Sequence, residues 1–123
     1  MKQSTMGKTR EDYLKAVLIT EKKYGACRCV DVARYMGVSK SSTSSALKKL
    51  EQEGFIIKDD WRILLTEIGW ETAVNVYQKY MFFLNWLKEI GVDENTAEDD
   101  ACKIEHVISE ESFIRICEFK KRL

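Results

Sequence analysis

A chain of 123 residues that is 45 % hydrophobic and 33 % charged is long enough for one domain with a core, or for one small domain plus an appendage. No run approaches the roughly 18 apolar residues of a membrane span, and the start of the chain lacks an apolar segment of signal-peptide length. These features exclude a membrane protein and predict a cytoplasmic one. The net charge is zero, but residues 1–66 hold 13 Lys/Arg against 8 Asp/Glu (+5) and residues 67–123 hold 7 against 12 (−5). A polyanion is therefore expected to meet the front half.

The first two predicted elements are helices. Thr9 and Asp12 have the spacing of a capping box and Gly25 is a natural stop, which predicts a first helix between them. A short helix over residues 30–36 ends at Gly37 and is followed closely by another helix start. A short helix, a tight glycine turn and a second helix are the pattern of a helix-turn-helix.

Residues 38–50 are predicted to form the helix that enters the DNA major groove. Ala46, Leu47 and Leu50 have helical spacing and can pack inward, while Ser39 can cap the helix. Short hydroxyl side chains and lysines on the other side suit phosphate oxygens and base edges. The alternative is a serine-rich helix start on an ordinary surface. The DNA-contacting residues predicted here are Ser39, Lys40, Ser41, Ser42, Thr43, Ser44, Ser45, Lys48 and Lys49.

A β-hairpin is predicted next, from two short β-rich runs over residues 55–58 and 62–66. After a helix-turn-helix, this hairpin is the wing of a winged helix. Lys58 and Arg62 near its tip are expected to reach flanking phosphates. Trp61 either packs on the DNA backbone or covers the hairpin, and covering is the more usual role of a lone tryptophan.

The second half of the chain predicts three more helices. A long one runs from Glu67 to about Ile90, the next from a cap at Asp93 or Asn95 to about Ile108, and the last covers residues 110–121 behind Ser109. The long helix has more apolar surface than one small domain can cover, so a partner chain is expected. The predicted fold is mostly α, with a winged helix-turn-helix over residues 1–70 followed by a helical dimerisation domain over residues 71–123.

A set of metal-ligand side chains lies on the helix that follows the long one. Glu98, Cys102, Glu105 and His106 share one helical face, since their separations are four, three and four residues. A thiol, carboxylates and an imidazole are the ligand types of a divalent transition metal. The alternative is a structural one, because a single histidine often makes only a polar contact and an acidic helix start satisfies the helix dipole.

The other cysteines do not indicate a second metal site. Cys27 and Cys29 are spaced C-x-C rather than C-x-x-C, and no second pair stands at zinc-ribbon spacing. Without an export signal, reduced thiols are expected throughout. Any redox role of Cys27, Cys29 and Cys117 is left open by the sequence.

Seven segments, in unbroken order, resemble the metal-dependent repressors typified by the diphtheria toxin repressor and the manganese transport regulator. They are residues 9–15, 30–33, 37–42, 50–54, 65–69, 91–94 and 99–110, of which the Cys-x-x-Glu-His-x-x-Ser run in the last is the most specific. The resemblance implies a winged helix, a helical dimerisation domain and a metal bound between them. It implies that a metal-loaded dimer binds a near-palindromic operator and controls genes of metal uptake. Because the chain ends at Leu123, the SH3-like third domain of longer members is expected to be absent.

The resemblance also implies ligands by position. Asp12 is the ligand expected from the DNA-binding side, with Cys102, Glu105 and His106 from the dimerisation side. Tyr80 stands where the family has a ligand histidine, and Lys15 where the manganese branch has a second carboxylate. One mononuclear site for a metal of the Mn or Fe type is therefore predicted, with Co, Ni and Zn also compatible.

Three function classes follow from these patterns. The leading one is a metal-responsive transcriptional regulator whose partners are double-stranded DNA and a second copy of the chain. The alternatives are a DNA-binding protein that has lost its metal response, marked by Tyr80 and Lys15, and a winged-helix module that binds protein. An enzyme acting on a small organic substrate is not indicated, since the chain has one histidine, no Gly-rich phosphate loop and no readable nucleophile–base pair.

Overall fold

A computed structural model describes residues 9–123, in which it places six helices and one two-stranded antiparallel sheet. The mostly α, winged-helix fold predicted from the sequence is confirmed. The expectation for the start of the chain, that it holds no signal peptide, falls on residues 1–8, outside the described part. Within the described part, no helix is both long and apolar enough to cross a membrane. The elements are α1 (Arg10–Tyr24), α2 (Cys29–Met36), α3 (Lys40–Gln52), β1 (Ile56–Asp59), β2 (Arg62–Leu65), α4 (Glu67–Glu89), α5 (Glu94–Val107) and α6 (Glu110–Lys121).

Local capping chemistry sets the helix starts. The Asp12 N–H donates to Thr9 Oγ1 at 3.1 Å and the Thr9 N–H donates to Asp12 Oδ2 at 3.0 Å, which is the predicted capping box. Ser39 and Ser109 cap α3 and α6 by accepting the N–H of the residue three positions on. Gly25, with φ at +82°, ends α1 in the left-handed conformation that glycine adopts without strain. These predicted caps are confirmed.

The described chain divides into two compact units within α4, one ending at Tyr77 and the other beginning at Gln78. The predicted domain boundary after residue 70 stays a prediction. The first unit is the winged helix, and its core includes fully buried side chains from the first three helices and the first strand. Leu14 and Val17 come from α1, Val32 from α2, Leu47 from α3 and Ile56 from β1.

The wing is anchored to the rest of its unit through the backbone. Its strands pair in register from Ile56 opposite Leu65 to Asp59 opposite Arg62, leaving a two-residue turn. The Ile63 N–H of β2 also donates to the Cys27 carbonyl at 2.9 Å. This bond ties the wing to the segment just before α2.

The second unit is built on the C-terminal part of α4 together with α5 and α6. Its core combines Phe83 and Leu84 of α4 with Ala97 and Ala101 of α5, and the two alanines are fully buried. Phe82 and Phe113 contact edge-to-face with centroids 5.6 Å apart, which packs α6 on α4. Small residues on one face of α5 allow it to approach the aromatic face of α4 closely.

Candidate metal centre and DNA-binding surface

Three potential metal ligands converge on α5. One donor atom from each of Cys102, Glu105 and His106 lies within 4.8 Å of the other two. Glu105 Oε2 is 3.9 Å from His106 Nε2. Spacings of three and four residues bring these side chains to one face of the helix, as predicted.

The environment of the three donors is a sheltered one. The Glu105 side chain is fully buried, the His106 side chain is 9 % exposed and Cys102 is half-buried. Burying a carboxylate is costly unless a positive charge or hydrogen bonds compensate it. A thiolate, a carboxylate and an imidazole form a mixed N/O/S donor set, and this set fits a divalent transition metal.

Glu98, the fourth residue predicted on this face, is not part of the donor group found among residues 9–123. It is half-buried. Seven residues of α-helix separate it from Glu105, which is about 10 Å along the helix axis. Glu98 is one turn from Cys102 but two turns from Glu105 and His106, so it falls outside a cluster in which every donor lies near all the others.

Asp12 lies in the winged-helix unit, on the first turn of α1. Its carboxylate is 6 % exposed, and Oδ2 accepts hydrogen bonds from the Thr9 N–H and, at 3.2 Å, from the Thr9 hydroxyl. The capping box therefore fixes the orientation of this carboxylate. Lys15, one turn further along α1, is also buried, at 3 % exposure.

Eight of the nine residues predicted to contact DNA from α3 are exposed, namely Ser39, Lys40, Ser41, Ser42, Ser44, Ser45, Lys48 and Lys49. Thr43 was predicted to contact DNA, and this is wrong, because its side chain is fully buried. Its hydroxyl donates to the Ser39 carbonyl at 2.9 Å, which satisfies the polar group inside the unit.

The wing tip carries the other predicted DNA contacts. Lys58 and Arg62 are both exposed, and the Arg62 guanidinium pairs with the Asp59 carboxylate at 2.7 Å. Of the two alternatives for Trp61, covering the hairpin is not what the structure has, because this residue is 55 % exposed. Together with Asp60 it forms the two-residue turn, which lies beyond the end of both strands and therefore beyond the faces of the hairpin.

A cleft of about 410 Å³ lies between α3 and the wing. Four of the side chains that line it are cations, namely Arg28, Lys40, Lys58 and Arg62. Arg28 was not predicted from the sequence. The sequence offered no signal for it, because Arg28 is the N-cap of α2, a position where Ser, Thr, Asp or Asn is usual.

A helix-turn-helix with a polar, cationic third helix and a wing, joined to a helical unit with a transition-metal donor set, defines a DNA-binding regulator linked to metal. Residues 5–62 match the family model for the iron dependent repressor N-terminal DNA binding domain, and residues 66–123 match that for the iron dependent repressor metal binding and dimerisation domain. The chain belongs to the iron-dependent repressor family. The family resemblance and the class, a transcriptional regulator rather than an enzyme, are thereby confirmed.

Known proteins of the same kind align over most of the chain. An HTH-type transcriptional regulator of Methanocaldococcus jannaschii is 30 % identical over 95 % of this chain and 96 % of its own. The HTH-type transcriptional regulator MntR of Bacillus pumilus is 30 % identical over 86 % of this chain and 74 % of its own. The solved structure of a manganese-dependent transcriptional repressor in complex with manganese superposes with a TM-score of 0.75 and 26 % identity, covering 88 % of this chain and 50 % of that one. The chain thus spans about half the length of the solved repressors it resembles.

Proposed function

We propose that this chain is a metal-responsive transcriptional regulator that acts in the cytoplasm as a homodimer on double-stranded DNA. The observation that carries the proposal is the cluster of Cys102, Glu105 and His106 on α5, in a chain whose α3 presents hydroxyls and lysines to solvent. The donor types of the cluster are those that bind a divalent transition metal, and the side chains of the helix are of the kind that contact bases in the DNA major groove.

Asp12 is the proposed fourth ligand. Its type completes an N/O/S set of four, and its place in the sequence is that of a ligand in the repressors the chain resembles. A bound divalent metal would supply positive charge to the carboxylates of Asp12 and Glu105 and to the Cys102 thiolate. If Asp12 of α1 binds the same ion as the three α5 residues, metal binding couples the winged-helix unit to the second unit. The metal then raises the affinity for DNA only to the extent that it binds more tightly to the arrangement of units that binds DNA than to the arrangements that do not.

One metal ion per chain is proposed rather than two. Tyr80 and the buried Lys15 stand where the repressors that the chain resembles have ligands of a second metal, and lysine is a cation rather than a metal ligand. Thiolate coordination by Cys102 favours Fe, Co, Ni or Zn, whereas the oxygen ligands of Asp12 and Glu105 favour Mn or Fe. The same two residues mark the second candidate function, a DNA-binding regulator that no longer responds to metal.

The homodimer is proposed from the apolar surface of the second unit. Val107, Ile114 and Phe119 are exposed in the single chain, Val107 at 75 %. Large apolar side chains that stay exposed in a single chain are typical of a surface that a partner covers. A two-fold dimer presents two copies of α3, so the operator is expected to be nearly palindromic.

The test combines metal analysis with DNA binding on one sample. Protein purified without chelator is analysed for metals, and fluorescence anisotropy is measured with duplexes from upstream of its own gene, with Mn, Fe, Co, Ni or Zn added and with EDTA. About one metal per chain and DNA binding tightened by about tenfold or more are expected for at least one metal. A steep fall of affinity with salt is expected as well, because neutralised phosphates release counterions.

Asp12→Asn isolates the proposed ligand, since the amide oxygen can still accept the Thr9 N–H of the capping box while the charge is lost. Glu11→Gln is the matched control, because Glu11 is the exposed neighbour on the same turn. The metal response should fall in Asp12→Asn and persist in Glu11→Gln. An equal response in both variants would remove Asp12 from the site. DNA binding indifferent to all five metals would favour the second candidate, and no DNA binding at all would overturn both.

A further inference from the structure

Two basic clefts lie on either side of the wing tip. The first is the cleft of about 410 Å³ between α3 and the wing, and the second, of about 560 Å³, lies on the side of α1 and α2. Arg28 and Trp61 line both clefts, so they form the ridge that separates them. Both side chains are more than half exposed, at 55 % each.

Backbone contacts explain why Arg28 stands beside the wing. The Ile63 N–H donates to the carbonyl of Cys27, the residue before Arg28, so β2 is fixed to the start of α2. Asp31 then holds the arginine, accepting from the Arg28 N–H at 3.1 Å and lying 3.4 Å from its Nε. The ridge therefore rests on fixed backbone.

The charge around the ridge is positive. Three carboxylates stand among the cations: Asp31 pairs with Arg28 and Arg34, Asp59 pairs with Arg62, and Asp60 lines the first cleft. The cations of the clefts and their rim outnumber these carboxylates by five to three, being Arg28, Arg34, Lys40, Lys58 and Arg62. An excess of positive charge around a solvent-exposed furrow favours an anionic chain.

Aromatic side chains add apolar surface to the basic clefts and the ridge between them. Trp61 stands at the turn, and Tyr24, which is 54 % exposed, lines the second cleft. Asp60, with φ at +61°, adopts the left-handed conformation that makes this tight turn and leaves Trp61 at its outer end. An apolar ring between two cationic clefts complements a sugar between two phosphates.

We propose that the two clefts form one track for the backbone of one strand of the DNA duplex. In this track, phosphates lie in the basic clefts on both sides of Arg28, and Trp61 packs on the deoxyribose between them. The inference rests on the proposed function. It adds Arg28 to the predicted DNA contacts and gives Trp61, for which packing on the DNA backbone was one of two alternatives, a defined partner in the deoxyribose. The track continues the α3 surface, because Lys40 of α3 lines the first cleft. Contacts to sugar and phosphate position a protein on the duplex without reading its sequence.

The experiment measures DNA affinity over a series of salt concentrations, using metal-loaded full-length protein with an operator duplex and with a scrambled duplex of the same length. Trp61→Ala should weaken binding to both duplexes by about tenfold through lost apolar burial, with an unchanged salt dependence. Trp61→Phe should retain most of the affinity. Arg28→Gln should weaken binding to both duplexes and lower the slope of log K against log salt by about one.

Matched controls come from the chain itself. Trp70 is 53 % exposed, so Trp70→Ala removes an equally exposed tryptophan away from the clefts. Arg115 makes an ion pair with Glu118 at the same i,i+3 spacing as Arg28 with Asp31, at 3.5 Å, so Arg115→Gln is the control for the arginine. Both controls should bind DNA as the wild type does, and melting temperatures verify that each variant is folded.

The outcomes separate the inference from the proposed function. Wild-type affinity in Trp61→Ala, or an equal loss in Trp70→Ala, would overturn the track. A loss confined to the operator duplex would also overturn it, because it would mean that Trp61 reads bases. If an acidic peptide competed for the clefts while Arg28→Gln left DNA binding unchanged, the surface would bind protein instead. Failure of the wild type to bind either duplex would overturn the proposed function itself.

Discussion

The Cys27 thiol is an ionisable group held inside the winged-helix core. It is 1 % exposed and accepts a hydrogen bond from the Thr20 hydroxyl at 3.0 Å. Burial raises the pKa of this thiol to about 11, and the nearby carboxylates of Asp31 and Glu21 add to the rise. The Thr20 hydrogen bond opposes the shift, but desolvation is the larger effect. The thiol therefore stays protonated, and Cys27 acts as a small core residue rather than a nucleophile.

This raised pKa predicts a loss of stability at alkaline pH. The folded state holds the Cys27 proton more tightly than the unfolded state, so the contribution is complete below the ordinary thiol pKa of 9.0 and is lost as pH rises towards 11. Urea unfolding at pH 8 and pH 10.5 should show a decrease in the free energy of unfolding of up to about 2 kcal/mol from this group. Cys27→Ala should remove that part of the decrease, while Cys29→Ala, which changes a half-buried thiol, should keep it. The same pH dependence in Cys27→Ala and wild type would contradict the assignment.

The burial of two residues, Thr43 and Trp61, differs from what the type of side chain favours. Thr43 stands in a run of exposed hydroxyl residues, and only the bond from its hydroxyl to the Ser39 carbonyl allows it to be buried. Trp61 is apolar, yet its place in a two-residue turn puts it beyond the strands. Periodicity and average burial describe neither a specific hydrogen bond nor the end of a hairpin.

At the scale of elements, the junction between the wing and α4 depends on one glycine. The Thr66 hydroxyl caps α4 by accepting the Gly69 N–H at 3.1 Å, and it donates to the Gly54 carbonyl at 2.7 Å. The same turn of α4 passes directly against the backbone of Phe55, where a Cβ on Gly69 would overlap the Phe55 carbonyl oxygen. Only glycine allows this approach.

Gly69→Ala is therefore expected to destabilise the winged-helix unit. Alanine has the higher helix propensity, by about 0.5–1 kcal/mol, but the overlap with backbone atoms forces a shift that costs roughly 1–3 kcal/mol. Urea unfolding should show a lower midpoint with the slope unchanged. Glu71→Ala, at an exposed position two residues on, should lie within about 0.5 kcal/mol of wild type. A Gly69→Ala midpoint at or above the wild-type value would mean that the junction adapts without strain.

The helix boundaries were predictable where a cap is made by neighbouring residues. Ser109 fixed the start of α6, and its observed bounds are those predicted. α2 begins one residue earlier than predicted, because its N-cap is Arg28, whose N–H bonds to the Asp31 carboxylate, and an arginine carries no cap signal in the sequence. A helix start can be predicted when the capping residue is of a type that usually caps helices. It is missed when, as with Arg28, the capping residue is of a type that seldom does.

For the whole molecule, the sequence predicted the order of the two units and the donor face of α5. Spacing alone is enough to bring Cys102, Glu105 and His106 together, since they lie within two turns of one helix. Spacing says nothing of Asp12, which is 90 positions from Cys102 in the sequence. Its proposed role came from the family resemblance. Residues far apart in sequence meet only through packing, and no local pattern reports packing.

The proposed fourth ligand predicts how metal changes the unfolding of the two units. If Asp12 and the α5 donors share one ion, metal at about 100 times its Kd stabilises the linked units by about 2.7 kcal/mol and the whole chain unfolds in one transition. In Asp12→Asn the metal should raise the unfolding temperature of the second unit alone, so that calorimetry shows two separated transitions. Combining Asp12→Asn with Gly69→Ala identifies them, because the glycine change lowers the winged-helix transition only. All samples are compared at one protein concentration, since dimerisation also affects the unfolding temperature. Equal metal stabilisation of both units in Asp12→Asn would exclude Asp12 as the residue that links them.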